Sequence, residues 1–288
     1  MPNLDDTNIL IIGAYGQLGR ALQKRYPGAK AVDSNQLDIS DAVAVRAFHW
    51  KSIKVIINAA AYTNVDGAES SDGRKLAWQV NAVGVRNLAE AAIKHKAALI
   101  HISSEYVFDG TASPHREDEV FSPLGVYAQS KAAGDIAASL VPEHYILRTS
   151  WVIGEGKNFV RTMLGLGAKG IAPTVVGDQI GRLTFTNELV RAIDHLLDVV
   201  PEYGTYNVSN GGEPVSWADV TRKIFEVAGY DLQVTDTTTE KYFADKPEAS
   251  PRPLNSVMDL AKLEATGFTP RDWQEDLQLY IAEQEHNQ

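Results

Sequence analysis

Short, unbroken apolar runs alternate with helically spaced apolar positions through the first half of the chain. Ile9-Leu-Ile-Ile12, Ala29 to Val32, Val55 to Ile57, Ala98 to Ile102 and Tyr145 to Leu147 read as strands. A strand with no polar alternation has both faces covered, as in a parallel sheet between helices. Between these runs, Gln17 to Tyr26, Asp41 to His49, Leu76 to His95 and Pro123 to Leu140 read as helices, with Ser40 as the cap of the second. The alternation predicts an α/β fold built on a doubly wound parallel sheet.

After Ser150 the rhythm weakens. Asn158 to Leu166, Asn187 to Val199 and Trp217 to Ala228 have helical spacing, and Tyr206-Asn-Val208 reads as a strand. Thr235 to Pro253 is polar and irregular and reads as a loop beside a site. The expected organisation is a dinucleotide-binding domain over residues 1–150, to which segments near 183–210 return. Residues 151–288 form mostly a smaller, discontinuous substrate-binding lobe.

The formal net charge is −10 and the pI about 5.2, with no basic cluster, which argues against a nucleic-acid partner. With no cysteine there is neither a disulfide framework nor a thiolate metal site. The seven histidines are scattered and form no His-Glu-x-x-His pair, so no metal is expected. The N-terminus lacks a basic start and an apolar run, and no stretch reaches membrane-spanning length. A cytoplasmic protein with no membrane partner is expected.

Gly13-Ala-Tyr-Gly16-Gln-Leu-Gly19 lies between the first strand and the first helix. Glycines there allow a tight turn and close approach of backbone to a diphosphate, which the free amides of the helix N-terminus then face. The spacing is one residue looser than the usual dinucleotide fingerprint, and the fold it suggests is Rossmann-type. Asp33, closing the second strand, is placed to accept from an adenosine ribose, which favours NADH over NADPH without excluding the latter. Asp38 and Ile39 either lead into a helix or meet the adenine. The small residues of Asn58-Ala-Ala-Ala61-Tyr62-Thr63 allow a cofactor to approach the third strand, or simply form a tight turn.

Three Tyr-x-x-x-Lys runs occur, but only Tyr127 and Lys131 lie in a helical pattern, with Ala128, Ala132, Asp135 and Ile136 on the same face. Ketone reduction needs a hydride on carbon and a proton on oxygen. A phenol can give the proton, and a nearby ammonium is expected to lower its pKa from about 10 toward working pH. Ser104, following the fourth strand, is the hydroxyl chosen to orient the substrate oxygen.

These blocks resemble the extended short-chain dehydrogenase/reductases over nearly the whole chain. The resemblance rests on Gly13 to Gly19, Asn58 to Asp66, Ser103 to Gly110, Ser122 to Lys131, Leu147 to Val152, Asn158 to Leu164, Gly177 to Gly181 and Arg252 to Ser256. It implies reduction, with NADPH or NADH, of the C4 ketone of a dTDP-linked 4-dehydro sugar on the way to dTDP-L-rhamnose. It implies Tyr127 as general acid, Lys131 as its partner, Ser104 on the sugar oxygen, and Glu105 and Trp151 at the nucleotide-sugar. Cofactor contacts are implied at Gly13, Gly16, Gln17, Leu18, Gly19, Asp33, Asp38, Ile39, Ala61, Tyr62 and Thr63, besides Tyr127 and Lys131. The family usually has threonine at position 104 and often aspartate at 105. Its Gly-x-Pro-Thr run reads Gly181-Arg182-Leu183-Thr184 here. Some members bind magnesium through interface glutamates; Ala21 stands at one such position, so a monomer or weak homodimer without metal is expected. Two other readings stay open: a reductase of another nucleotide-linked 4-keto-6-deoxy sugar, and a non-catalytic dinucleotide-binding regulatory subunit.

Overall fold

The computed structural model describes residue 1 and residues 4–286. Its centre is a six-stranded parallel sheet. Strands β1 (Ile9–Ile12), β2 (Lys30–Val32), β3 (Val55–Asn58), β4 (Ala98–Ser104) and β5 (His144–Thr149) are joined at one edge by the strand Gly204–Asn207. Read from that edge, the order is Gly204–Asn207, β5, β4, β3, β1, β2. The chain therefore steps outward from β1 to β2, then returns to the other side of β1 to form β3. That reversal opens a crevice at the carboxyl ends of β1 and β3, where open α/β sheets bind ligands.

The apolar runs are unbroken because alternate residues enter two different cores. Ile9 and Ile11 pack with Leu18, Leu22 and Leu189 on one face, while Leu10 and Ile12 pack with Leu88 and Val85 on the other. Each such fully buried side chain contributes about 1.5–3 kcal/mol by leaving water. A third cluster, with Val160, Leu183, Phe185, Ile224 and Trp273, fills the region built mostly after Ser150.

Several elements differ from the sequence expectation. Helix α2 (Ala42–Ala47) is capped by Asp41, whose carboxylate accepts from the amides of Val43 and Ala44; Ser40 instead donates to Asp38. The helix expected from Leu76 begins earlier, as α3 (Ser71–Trp78) capped by Ser70. Its first turn is too polar to show in the apolar pattern. It then widens into a π segment (Gln79–Gly84) before α4 (Val85–His95). The helix expected over Pro123 to Leu140 is α5 (Val126–Ala138), with Gly125 at its N-cap. Ile136, expected on the Tyr127 face, is exposed, and Ala138 is buried instead. The Thr235 to Pro253 segment is not all loop: Thr235–Thr237 pairs in parallel with Thr174–Val176, and Thr239–Phe243 is helical. The closing helix Trp273–His286 carries no expectation from the sequence. Among the described residues no helix is long and apolar enough to cross a membrane.

Candidate active site

The glycine turn is held by its own backbone. Gly13 adopts a left-handed conformation (φ 87°), and a Cβ there would sit 2.7 Å from the amide nitrogen of Ala60. A Cβ on Gly19 would lie 2.1 Å from the carbonyl oxygen of Gly13, so only glycine lets helix α1 (Gln17–Arg25) start this close to the turn. Gly16 occupies the N-cap and offers no side-chain acceptor, which leaves the first amides of α1 facing the cleft. This arrangement fits an anionic diphosphate. A methyl group at position 19 must displace the turn, so Gly19→Ala is expected to weaken dinucleotide binding by at least about tenfold, or 1.4 kcal/mol. Titration of nucleotide against intrinsic fluorescence checks this.

The cleft beside the turn has a volume of about 670 Å³, within the usual size of a small-molecule site. Gly16, Gln17, Leu18, Ala61 and Thr63 line it, together with Ser104, Glu105, Tyr127, Lys131 and Trp151. Gly13 and Gly19 shape the turn from beneath. Asp33 caps its own turn, accepting from the amides of Asn35 and Gln36, each at 3.1 Å. Asp38 accepts from Ser40. Ile39 is packed in the core, where a Cβ on Gly84 would strike its side chain at 2.7 Å. The backbone of Tyr62 is clamped by Asn81. The Gln17 side chain reaches across to accept the Gly154 amide at 2.8 Å.

Asn81 sits in the π segment and was not legible as a site residue. Its side-chain oxygen accepts the Tyr62 amide at 2.8 Å. Its NH₂ donates to the Tyr62 carbonyl at 3.1 Å and to the Ser130 hydroxyl at 3.0 Å. Ser130 in turn donates to the Tyr127 carbonyl at 2.7 Å. The widened turn thus ties the Ala61–Thr63 loop to the helix carrying Tyr127, a use typical of π segments near sites.

Tyr127 is partly buried, and its ring meets Tyr106 edge-on at 5.7 Å. Lys131 is almost wholly buried, and its Nζ donates to the Ile102 carbonyl at 2.7 Å. Burial lowers the Lys131 ammonium to about 8, opposed by Asp135 one turn further on. The expected lowering of the Tyr127 phenol by that ammonium does not occur here. Burial is the larger influence and raises it, Glu105 adds to the rise, and the neighbouring Ser104 hydroxyl opposes it. The phenol is therefore held in its neutral form, the form able to give a proton.

Ser104 ends β4, and its hydroxyl donates to the Glu105 carboxylate at 2.8 Å. Glu105 is 4% exposed, and burial pushes it up to about 7 against hydrogen bonds from Ser104 and Ser256. Behind Lys131, Asp135 forms a fully buried ion pair with Arg148, Nε to Oδ2 at 3.0 Å.

Trp151 holds a left-handed backbone (φ 45°) that few non-glycine residues adopt. Its ring stacks on Trp217, centroids 3.7 Å apart and 18° from parallel, and Phe159 leans on Trp217 at 4.4 Å. Gly181 makes room, since a Cβ there would lie 2.9 Å from the Trp151 ring. Trp217, also a cleft residue, escaped the sequence reading because its partner is remote in the chain.

The family described as RmlD substrate binding domain matches residues 7–286. The dTDP-4-dehydrorhamnose reductase of Aggregatibacter actinomycetemcomitans is 42% identical, over 93% of this chain and 96% of its own length. A crystal structure of a dTDP-4-dehydrorhamnose reductase from Clostridium acetobutylicum superposes with a TM-score of 0.89 at 38% identity, covering 96% of this chain and 99% of that one. That of the Bacillus anthracis reductase in complex with NADP gives 0.88 at 35% identity, covering 96% and 98%. This chain belongs to the RmlD family of dTDP-4-dehydrorhamnose reductases.

Proposed function

We propose that this protein reduces the C4 ketone of dTDP-4-dehydro-L-rhamnose to the alcohol of dTDP-L-rhamnose with NADPH or NADH. The observation that carries this reading is the convergence of Ser104, Tyr127 and Lys131 on one cleft beside the glycine turn, in a chain of this family. The reduced nicotinamide, when bound, supplies the hydride. The uncapped amides of α1 hold the diphosphate, Asp33 takes the adenosine ribose, and Lys131 holds the nicotinamide ribose hydroxyls. Ser104 donates a hydrogen bond to the C4 oxygen and sets its position. Tyr127 delivers its proton to that oxygen, and its neutral resting form suits the task.

The substrate lobe, mostly residues 151–288, contributes the stacked pair Trp151 and Trp217 to the cleft wall, where the exposed edge of the pair borders the sugar nucleotide. Trp151 is held in place by its stack on Trp217, so losing Trp217 loosens that wall of the cleft. Trp217→Ala is therefore expected to raise the KM for the nucleotide-sugar roughly tenfold while leaving kcat within about a factor of two. Steady-state kinetics at saturating NADPH checks it; an unchanged KM would take Trp217 out of the binding surface.

The function is tested by following reduced-nicotinamide absorbance on addition of the 4-keto sugar nucleotide. Loss of absorbance that depends on the sugar is expected. Tight dinucleotide binding with no oxidation by this or any other 4-keto-6-deoxy sugar nucleotide would favour a regulatory subunit.

A further inference from the structure

Ser104 has one hydrogen to give, as every hydroxyl does, and two lone pairs to accept with. In this structure the hydrogen is given to Glu105 Oε2 at 2.8 Å, a neighbour on the cleft wall. One lone pair takes the Tyr106 amide at 3.2 Å. A carboxylate only accepts, so while Glu105 is ionised it competes with the substrate oxygen for the Ser104 hydrogen. A protonated Glu105 does the reverse: its own O–H can point at Ser104 Oγ, and the serine hydrogen then turns into the cleft.

We propose that Glu105 is a positioning residue that sets the direction of the Ser104 hydroxyl, and that reduction runs through the form in which Glu105 carries its proton. The inference rests on the reading of Ser104 and Tyr127 given above. During turnover, hydride arrives at C4, Tyr127 gives its proton to the C4 oxygen, and the proton on Glu105 stays on Glu105. The side chain thus completes a line of donors, from Glu105 through Ser104 to the ketone, without being consumed.

The surroundings of Glu105 favour the neutral form to an unusual degree. The carboxyl is 4% exposed, and the groups that steady its charge are hydrogen-bond donors with no cation among them. Those donors are Ser104, Ser256 and the amides of Glu105 and Tyr106. From α5 it faces the neutral phenol of Tyr127, and from its own turn that of Tyr106. The nearest cation of the 252–256 segment, Arg252, is paired with Asp66 at 2.7 Å. Burial pushes the carboxyl up to about 7, so below neutrality it is protonated and above neutrality it is charged. The charged form also raises Tyr127 further, making the phenol a poorer proton donor. Both effects slow reduction as pH rises.

The test is the pH dependence of kcat/KM in the wild type, Glu105→Gln, Glu105→Asp and Ser104→Ala, with NADPH and the 4-keto sugar nucleotide. The wild type is expected to lose activity above an inflection near 7, approaching about tenfold per pH unit for loss of a single proton. Glu105→Gln, whose amide donates at every pH, is expected to lose the inflection near 7 and keep only the fall near 8 that deprotonation of Lys131 brings. Glu105→Asp keeps a titrating acid and is expected to keep the lower inflection. Ser104→Ala is expected to be slower and flatter, because the hydroxyl through which Glu105 acts is gone. An inflection near 7 unchanged in Glu105→Gln overturns the proposal. Should that variant fold poorly, an unchanged inflection in Ser104→Ala overturns it equally. A wild type that oxidises no NADPH at any pH would remove the proposed function itself, a different result from an active wild type with an unaltered profile.

Discussion

Tyr127→Phe is expected to lower kcat by roughly 10²–10⁴-fold, the range that a positioned general acid supplies. The substitution removes one oxygen and leaves the ring against Tyr106 and Val126, so the packing that orients α5 is kept. Dinucleotide affinity should change by less than about twofold, because the amides of the glycine turn, not the Tyr127 hydroxyl, hold the diphosphate. The loss should fall on kcat and kcat/KM alike, the pattern of an interaction made only in the transition state. Steady-state kinetics with a parallel nucleotide titration checks both halves. Turnover within a few-fold of wild type would remove the phenol from the mechanism.

The second large effect is on stability. Asp135 and Arg148 are both nearly inaccessible, and their ion pair is supported from several sides. Arg148 donates to the Glu117 carbonyl at 3.0 Å, and its guanidinium lies 5.1 Å from the Phe108 ring centre and 5.0 Å from that of Phe121. Removing one partner of a buried pair leaves the other charge without compensation, at a cost of about 3–5 kcal/mol. Arg148→Met is therefore expected to lower Tm by on the order of 10 °C. The double variant Asp135→Leu/Arg148→Met removes both charges and should recover much of that loss. Differential scanning calorimetry on the wild type and both variants decides the point. If the double variant is as unstable as the single one, packing rather than stranded charge explains the loss.

The central sheet was legible because its strands are covered on both faces, so runs such as Ile9 to Ile12 and Val55 to Ile57 carry no polar interruption. Helix α5 was legible through the Tyr127–Lys131 spacing, and the glycine turn through its place between strand and helix. What stayed hidden has a physical reason in each case. The π segment adds backbone width without changing residue types, so Asn81 reads as an ordinary helical polar residue. Two-residue strands such as Val152–Ile153 and Thr184–Phe185 are too short to show a period. The Trp151–Trp217 stack joins residues far apart in sequence. Only its local half left a trace: Ser216 and Asp219 form the capping box that starts the helix at Trp217. The Asp135–Arg148 pair did leave a signal, an arginine directly after the apolar run Tyr145–Leu147, which in a covered strand demands a buried partner. The expected lowering of the Tyr127 phenol failed for a different reason. Spacing along a helix gives neighbours, but it does not give burial, and burial dominates here.

Isotope transfer follows the hydride itself from cofactor to sugar. NADPH carrying deuterium at its transferable position is incubated with the protein and dTDP-4-dehydro-L-rhamnose, and the product sugar is analysed by NMR. One deuterium is expected at C4 of dTDP-L-rhamnose, formed by the wild type and nearly abolished in Tyr127→Phe. A product without deuterium at C4, or one labelled equally fast by Tyr127→Phe, would contradict the proposed mechanism.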